Sequence, residues 1–205
     1  MDTGTYSDLL TRIQALAGVS DFTDNELIFI NSFVNRRANI AYRSTEFWPR
    51  YLVVGEPRTT TNSIVPYTQT GLKDIDTFLR IHKTYSPYQL LSAMELEYYV
   101  TNAGAYLVAD TLPANTTYVT YKTVWDGPYS SSSTNIPYEW FDYLAHSVYS
   151  DFLRQDGQND KALTEDQFAG EIMNEQLSRT DITRSAGMIA HRISTHVSRS
   201  YRSPR

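Results

Sequence analysis

The sequence predicts an α+β fold, a discontinuous helical bundle with an inserted antiparallel β lobe and an extended C-terminal tail. Three observations predict it. Apolar residues recur at helical spacing near both ends of the chain. The middle is rich in threonine, tyrosine and valine, interrupted every few residues by proline or glycine. Charge changes sign after Ser178: from Arg179 onward six arginines stand against one aspartate, so this segment carries +5 and the body −10 of a chain whose net charge is −5. At 205 residues the chain suffices for one domain, or one domain with an insertion, and for a substantial core.

The first helix is expected over 6–17, where Leu9, Leu10, Ile13 and Leu16 share a face and Gly18 supplies the stop. Thr23 followed by Glu26 spells a capping box, because the hydroxyl and the carboxylate can satisfy free backbone N–H groups reciprocally. It should open a helix over 24–47, with Leu27, Ile30, Val34, Ala38 and Ala41 as its apolar stripe. Asn31, Asn35 and Arg36 fall mostly on other faces. The helix should close at Phe47-Trp48-Pro49, since the residue before a proline is pushed out of the helical region.

From 50 to 135 the pattern is that of strands, expected at 64–65, 78–84, 106–109 and 118–125. The stretch 88–99 reads two ways: Met94, Leu96 and Tyr98 alternate like a strand, whereas Ser92 and Glu95 could cap one helical turn. Gly127 to Ser133 reads as a flexible, serine-rich loop. Pro137 then opens a helix over 137–155 with Trp140, Phe141, Leu144, Ala145, Val148 and Phe152 on one face, and Gly157 closes it. A last helix over 161–178, carrying Phe168, Ile172 and Leu177, completes a helical hairpin. The expected division is thus a bundle of 1–49 and 136–178, a lobe of 50–135 and a basic tail of 179–205.

Composition excludes several chemistries. Without cysteine there is no disulfide, thiolate metal site or thiol nucleophile. The polar residues 1–7 lack the pattern of a signal peptide, and no apolar run approaches the roughly 20 residues of a bilayer span, so a soluble protein is expected, with no membrane partner. Fragments of active-site motifs read better as structure. Asp2-Thr3-Gly4 matches an aspartic protease triplet but has no second carboxylate lobe, and Asp21 to Glu26 lacks the glycine of a calcium loop. His191 and His196 stand five apart, on different faces of any helix, and Asp74-Ile75-Asp76 reads as a turn after Gly71. The expectation is no enzyme, no cofactor and no metal.

The order of elements resembles the head-to-tail adaptor, or connector, proteins of tailed bacteriophages. The residues that carry the resemblance are Tyr6-Ser7-Asp8-Leu9-Leu10, Ile30-Asn31 in a helix closing at Phe47-Trp48-Pro49, the β insertion, Ile136-Pro137, and the Asp156-Gly157-Gln158 turn before Ala162. They span residues 6 to 178. The resemblance implies a homo-oligomeric ring, usually of twelve subunits, seated between portal protein and tail or nozzle protein at the head-to-tail junction of a virion assembled in the host cytoplasm. Genomic DNA would pass through its channel without sequence-specific binding, repelled by an acidic body. It also implies that the basic tail docks on the portal, with Arg184, Arg192, Arg199, Tyr201 and Arg202 as contacts. Phe47, Trp48 and Trp140, beside prolines at helix ends, suit the joint of bundle and lobe, either as core or in contacts between subunits. Two other readings remain open: another phage tail component, such as a nozzle or tail-completion protein, and a nucleic-acid-binding protein that uses the basic tail.

Overall fold

The computed structural model describes residues 2–83, 95–108 and 115–200, with side chains described to residue 180. The fold is α+β. It divides into two compact units, one built from Met1–Thr45 and Gly127–Arg205, the other from the continuous stretch Glu46–Asp126.

The first unit is helical. Helix α1 (Tyr6–Ala17) starts at a capping box in addition to the expected one at Thr23: the Asp8 amide donates to Thr5 Oγ1, and the Thr5 amide donates back to Asp8 Oδ2. It stops at Gly18, whose left-handed backbone (φ 68°) a side chain would strain. Helix α2 (Asp24–Arg43) opens on the expected box of Thr23 and Glu26. Its end at Arg43 falls short of the expected 47. Both the Ser44 amide and the Ser44 hydroxyl turn back onto the Ala41 carbonyl, at 3.3 and 2.7 Å, and this local capping stops the helix before Pro49 can.

The expected helix start at 137 also needs correction. Ile136–Pro137 forms strand β8, paired antiparallel with β1 (Thr3–Gly4), and a 3-10 turn over Tyr138–Trp140 precedes α3 (Phe141–Gln155). This pairing explains the Asp2-Thr3-Gly4 triplet. A Cβ on Gly4 would lie 2.1 Å from the Phe141 ring, so the glycine is there to let strand and ring meet. Helix α3 is the hub, packed against α1, α2 and α4. It buries Phe141, Leu144, Ala145 and Val148 as expected, together with Leu153, while Phe152 is only half-buried, edge-on to Phe22 at 5.5 Å.

Helix α4 runs from Asn159 to Ser200, past the expected boundary at 178. Between Arg179 and Ser200 there is no proline and only Gly187 to weaken a helix, so polarity alone did not mark an end. The serine-rich segment 127–133 is held rather than loose: Tyr129 is buried, and Ser130 and Ser133 close a turn on each other through backbone and side-chain bonds.

The second unit pairs two three-stranded antiparallel sheets. One has the order β2 (Leu52–Thr59), β7 (Thr116–Thr123), β4 (Ile75–His82); the other has β3 (Ile64–Pro66), β6 (Gly104–Val108), β5 (Glu97–Thr101). Strand β2 is not among the expected strands, because its Gly55 and Pro57 interrupt the alternation. Within the ambiguous stretch 88–99, Glu97–Tyr99 belong to strand β5, and 88–94 lie outside the described residues. Inner-face residues Val65, Phe78, Ile81, Ala105, Leu107, Val119 and Tyr121 make one core between the sheets. Tyr67 and Tyr98 flank the Phe78 ring, and each hydroxyl bonds a backbone carbonyl of the opposite sheet or strand, Thr101 and Phe78 respectively. Gly104 (φ 142°) is obligatory, since a Cβ there would sit 2.1 Å from the Val65 carbonyl oxygen.

Candidate functional site

Charges in the helical unit converge on Asp151. It stands three residues after Val148, on the α3 stripe that faces the other helices, and only 2 % of its side chain is exposed. Arg37 of α2 grips it bidentately, donating Nε to Oδ2 and Nη2 to Oδ1, both at 2.7 Å. Arg36 adds a contact of 2.6 Å and Arg154 one of 3.2 Å. Asp166 of α4 takes a second contact from Arg37 at 3.0 Å and from Arg154 at 2.8 Å.

Burial by itself would push the Asp151 carboxyl up, but the bonds from Arg37 and Arg36 outweigh it and hold the group below the usual carboxylate range. The same bond drives Arg37 further above its ordinary value. Burial raises the neighbouring Tyr143 hydroxyl. Three guanidiniums and two carboxylates therefore lock α2, α3 and the start of α4 together. The sequence signal that could have revealed the cluster is an aspartate standing on an apolar stripe opposite an Arg-Arg pair.

A second device ties the segment before α3 to α2. Asn35 mimics a strand partner: its Nδ2 donates to the Tyr129 carbonyl at 2.9 Å, and its Oδ1 accepts from the Tyr129 amide at 2.6 Å. Asn31 Nδ2 adds contacts to the same carbonyl and to the Tyr6 hydroxyl, both at 3.3 Å. These asparagines, expected mostly on faces other than the apolar stripe, are partly buried. Two asparagines one turn apart were the available signal.

His146 Nδ1 lies 2.7 Å from Glu165 Oε2, and its ring meets the edge of Phe168 at 4.7 Å. Among the described residues no hydroxyl bonds this ring, so the pair joins α3 to α4 without assembling a nucleophile. Nor do the described residues bring together three or more His, Asp or Glu able to hold a metal ion. No described helix is long and apolar enough to cross a membrane.

The β unit carries its own buried charge. Arg58 is wholly enclosed, stacked 4.5 Å from the Tyr121 ring centre, and donates to the Tyr121 hydroxyl and the Lys73 carbonyl, with Glu56 at 3.1 Å. Burial, reinforced by the bond from its hydroxyl to Glu56, pushes Tyr121 up to about 12. A surface groove is lined by Arg50, Lys73, Asp74, Asp126, Tyr51 and Thr123. Its charges balance, and the Tyr51 hydroxyl donates to Asp126 at 2.6 Å. Asp74 and Asp76 flank the buried Ile75 at the start of β4.

Of the residues singled out from sequence, Trp48 and Trp140 are enclosed by the chain, the first in the β unit and the second in the helical unit. Phe47, also in the β unit, is half-buried. The three therefore do not form one cluster within either unit. Arg184, Arg192 and Arg199 lie on the α4 backbone, with side chains outside the described residues, and Tyr201 and Arg202 lie outside them altogether. No protein-family model matches the chain, and no curated protein matches it significantly.

Proposed function

We propose that the chain is a ring-forming structural subunit, a head-to-tail adaptor of a tailed bacteriophage that sits between portal and tail and extends the DNA channel. The observation that carries the reading is architectural: the segments before and after a continuous antiparallel β unit build one helical unit, in the order helix, helix, β, helix, helix that the resemblance requires. The continuation of α4 to Ser200 supports it, because Arg184, Arg192 and Arg199 then share one helical backbone.

On this reading each part has a physical task. The arginine–aspartate cluster holds the helices rigid, as a ring under the pressure of packaged DNA needs. The net −10 of residues 1–178 repels the phosphate backbone and lets DNA slide. The basic end of α4 pairs with acidic portal surface through charge-assisted bonds.

Electron microscopy of the purified protein with and without portal rings tests the proposal. The expected result is an added ring of density on the portal, lost or weakened when residues 179–205 are removed. A protein that stays monomeric and ignores the portal would sink it. Tight binding to DNA at physiological salt, abolished by the same truncation, would instead favour nucleic-acid binding.

A further inference from the structure

The helical unit exposes large apolar side chains unevenly. Among the described residues, five of its seven exposed large hydrophobics sit on two helices: Ile28, Phe29 and Ile40 on α2, and Leu163 and Phe168 on α4. The described residues of α1 and α3 expose none. Both helices keep a fully buried stripe as well, Ile30, Val34 and Ala38 on α2 and Ala162 and Ala169 on α4, so each is apolar on a second face. A helix in a water-facing position needs only the first.

The two outer faces carry opposite charge. After its first turn, which carries Asp24 and Glu26, α2 has three arginines and no acid; Arg43 is exposed, as is Arg36, which also contacts Asp151 at 2.6 Å, and the Arg36 guanidinium lies 5.5 Å from the Phe33 ring centre. From Asn159 to Ser178, α4 has five acids against the single Lys161. Glu165 and Asp166 of these turn inward to His146 and to the arginine cluster, and Glu175 is held by Arg179 one turn on at 2.5 Å, leaving Asp160 and Glu171 as the outward acids of this stretch. At 1.5 Å per residue the α2 face from Ile28 to Arg43 is about 22 Å long and the acidic stretch of α4 from Asp160 to Ser178 about 27 Å, long enough to cover it.

We infer that these faces bind one another between copies: the outer face of α2 on one subunit packs against the outer face of α4 on the next. A second copy is the occupant because each face meets its charge complement on the same chain. Pairing α2 with α2 would oppose arginine to arginine, and pairing α4 with α4 would oppose acid to acid. The contact is therefore heterologous, and a heterologous contact repeats until it closes a ring or runs on as a filament. The inference rests on the ring-subunit reading and names the surfaces that build the ring.

The chain has no cysteine, which makes site-directed cross-linking clean. Ser32→Cys places a thiol on the α2 face and Gln167→Cys one on the α4 face, both at exposed positions. With a short bis-maleimide at high protein concentration, neither single variant should cross-link to itself, an equimolar mixture of the two should yield dimer and nothing larger, and the double variant should yield a ladder. Self-linking of Ser32→Cys, or no dimer in the mixture, overturns the inference. Light scattering on the same samples separates its failure from that of the parent reading. A closed oligomer with the wrong cross-links keeps the ring and discards these faces. Monomer throughout discards these faces, and the portal experiment then decides the adaptor reading alone.

Discussion

Asp151 shows how much one side chain can carry in this protein. It is a nearly enclosed carboxylate gripped by arginines from two helices, and removing its charge leaves Arg37 and Arg154 with Asp166 and takes from Arg36 its carboxylate contact. Asp151→Asn is expected to cost about 3 kcal/mol, read from urea unfolding. The sign of its pH dependence follows from its depressed folded pKa. Its stabilisation is complete above the unfolded value of about 3.9 and is lost as pH falls through the lower folded value, so Asp151→Asn should flatten the acid limb below about pH 4. An unchanged limb would assign acid unfolding to other carboxylates. His82 acts in the β unit. Burial lowers its pKa, with Arg80 acting in the same sense and Glu95 against it. The unfolded state then takes up the proton first, so stability present above about pH 6.5 declines as pH falls toward the folded value. Urea titrations from pH 7.5 to 5 should show that slope in the wild type and a smaller one in His82→Leu.

The helices and strands respond to glycine in opposite ways, and the difference is geometric. Gly170 lies inside α4 with open space where a Cβ would go. Gly170→Ala should therefore stabilise the protein by about 1 kcal/mol, through helix propensity and a less flexible unfolded chain. Gly104 pairs with Pro66 across β3 and β6, and its Cβ would collide with the Val65 carbonyl. Gly104→Ala should destabilise by more than Gly170→Ala stabilises, because backbone on both strands must move. Thermal melts of the two variants check both signs, and a neutral Gly104→Ala would mean that the β3–β6 contact is not needed for stability.

The molecule as a whole is built so that one unit interrupts the other without breaking it. The β unit is continuous in sequence, has its own core, and brings its ends together: the Thr123 amide donates to the Tyr51 carbonyl at 2.8 Å, and Arg50 lies 3.7 Å from Asp126. A fragment of residues 46–126 should fold alone, giving dispersed amide resonances and a cooperative melt. A fragment that stays unfolded would show that the helical unit supplies part of its stability.

Much of this architecture is legible in the chain itself. The capping box at Thr23 and Glu26, the stop at Gly18, the apolar stripe of α3 and the β character of the middle are set by residues within a turn or a strand of each other, so local chemistry suffices. The lack of cysteine and the charge split after Ser178 are properties of composition and need no fold. What only the tertiary structure decided is which polar groups meet. Arg37 and Asp151 are 114 residues apart and Asn35 and Tyr129 are 94 apart, and no periodicity links such pairs. They are chosen by burial, which makes an unpaired charge or amide too costly to leave and so brings distant partners together. For the same reason β1 and β8, one ahead of α1 and the other ahead of α3, became a pair, and the second apolar faces of α2 and α4 emerged only once packing had used the first.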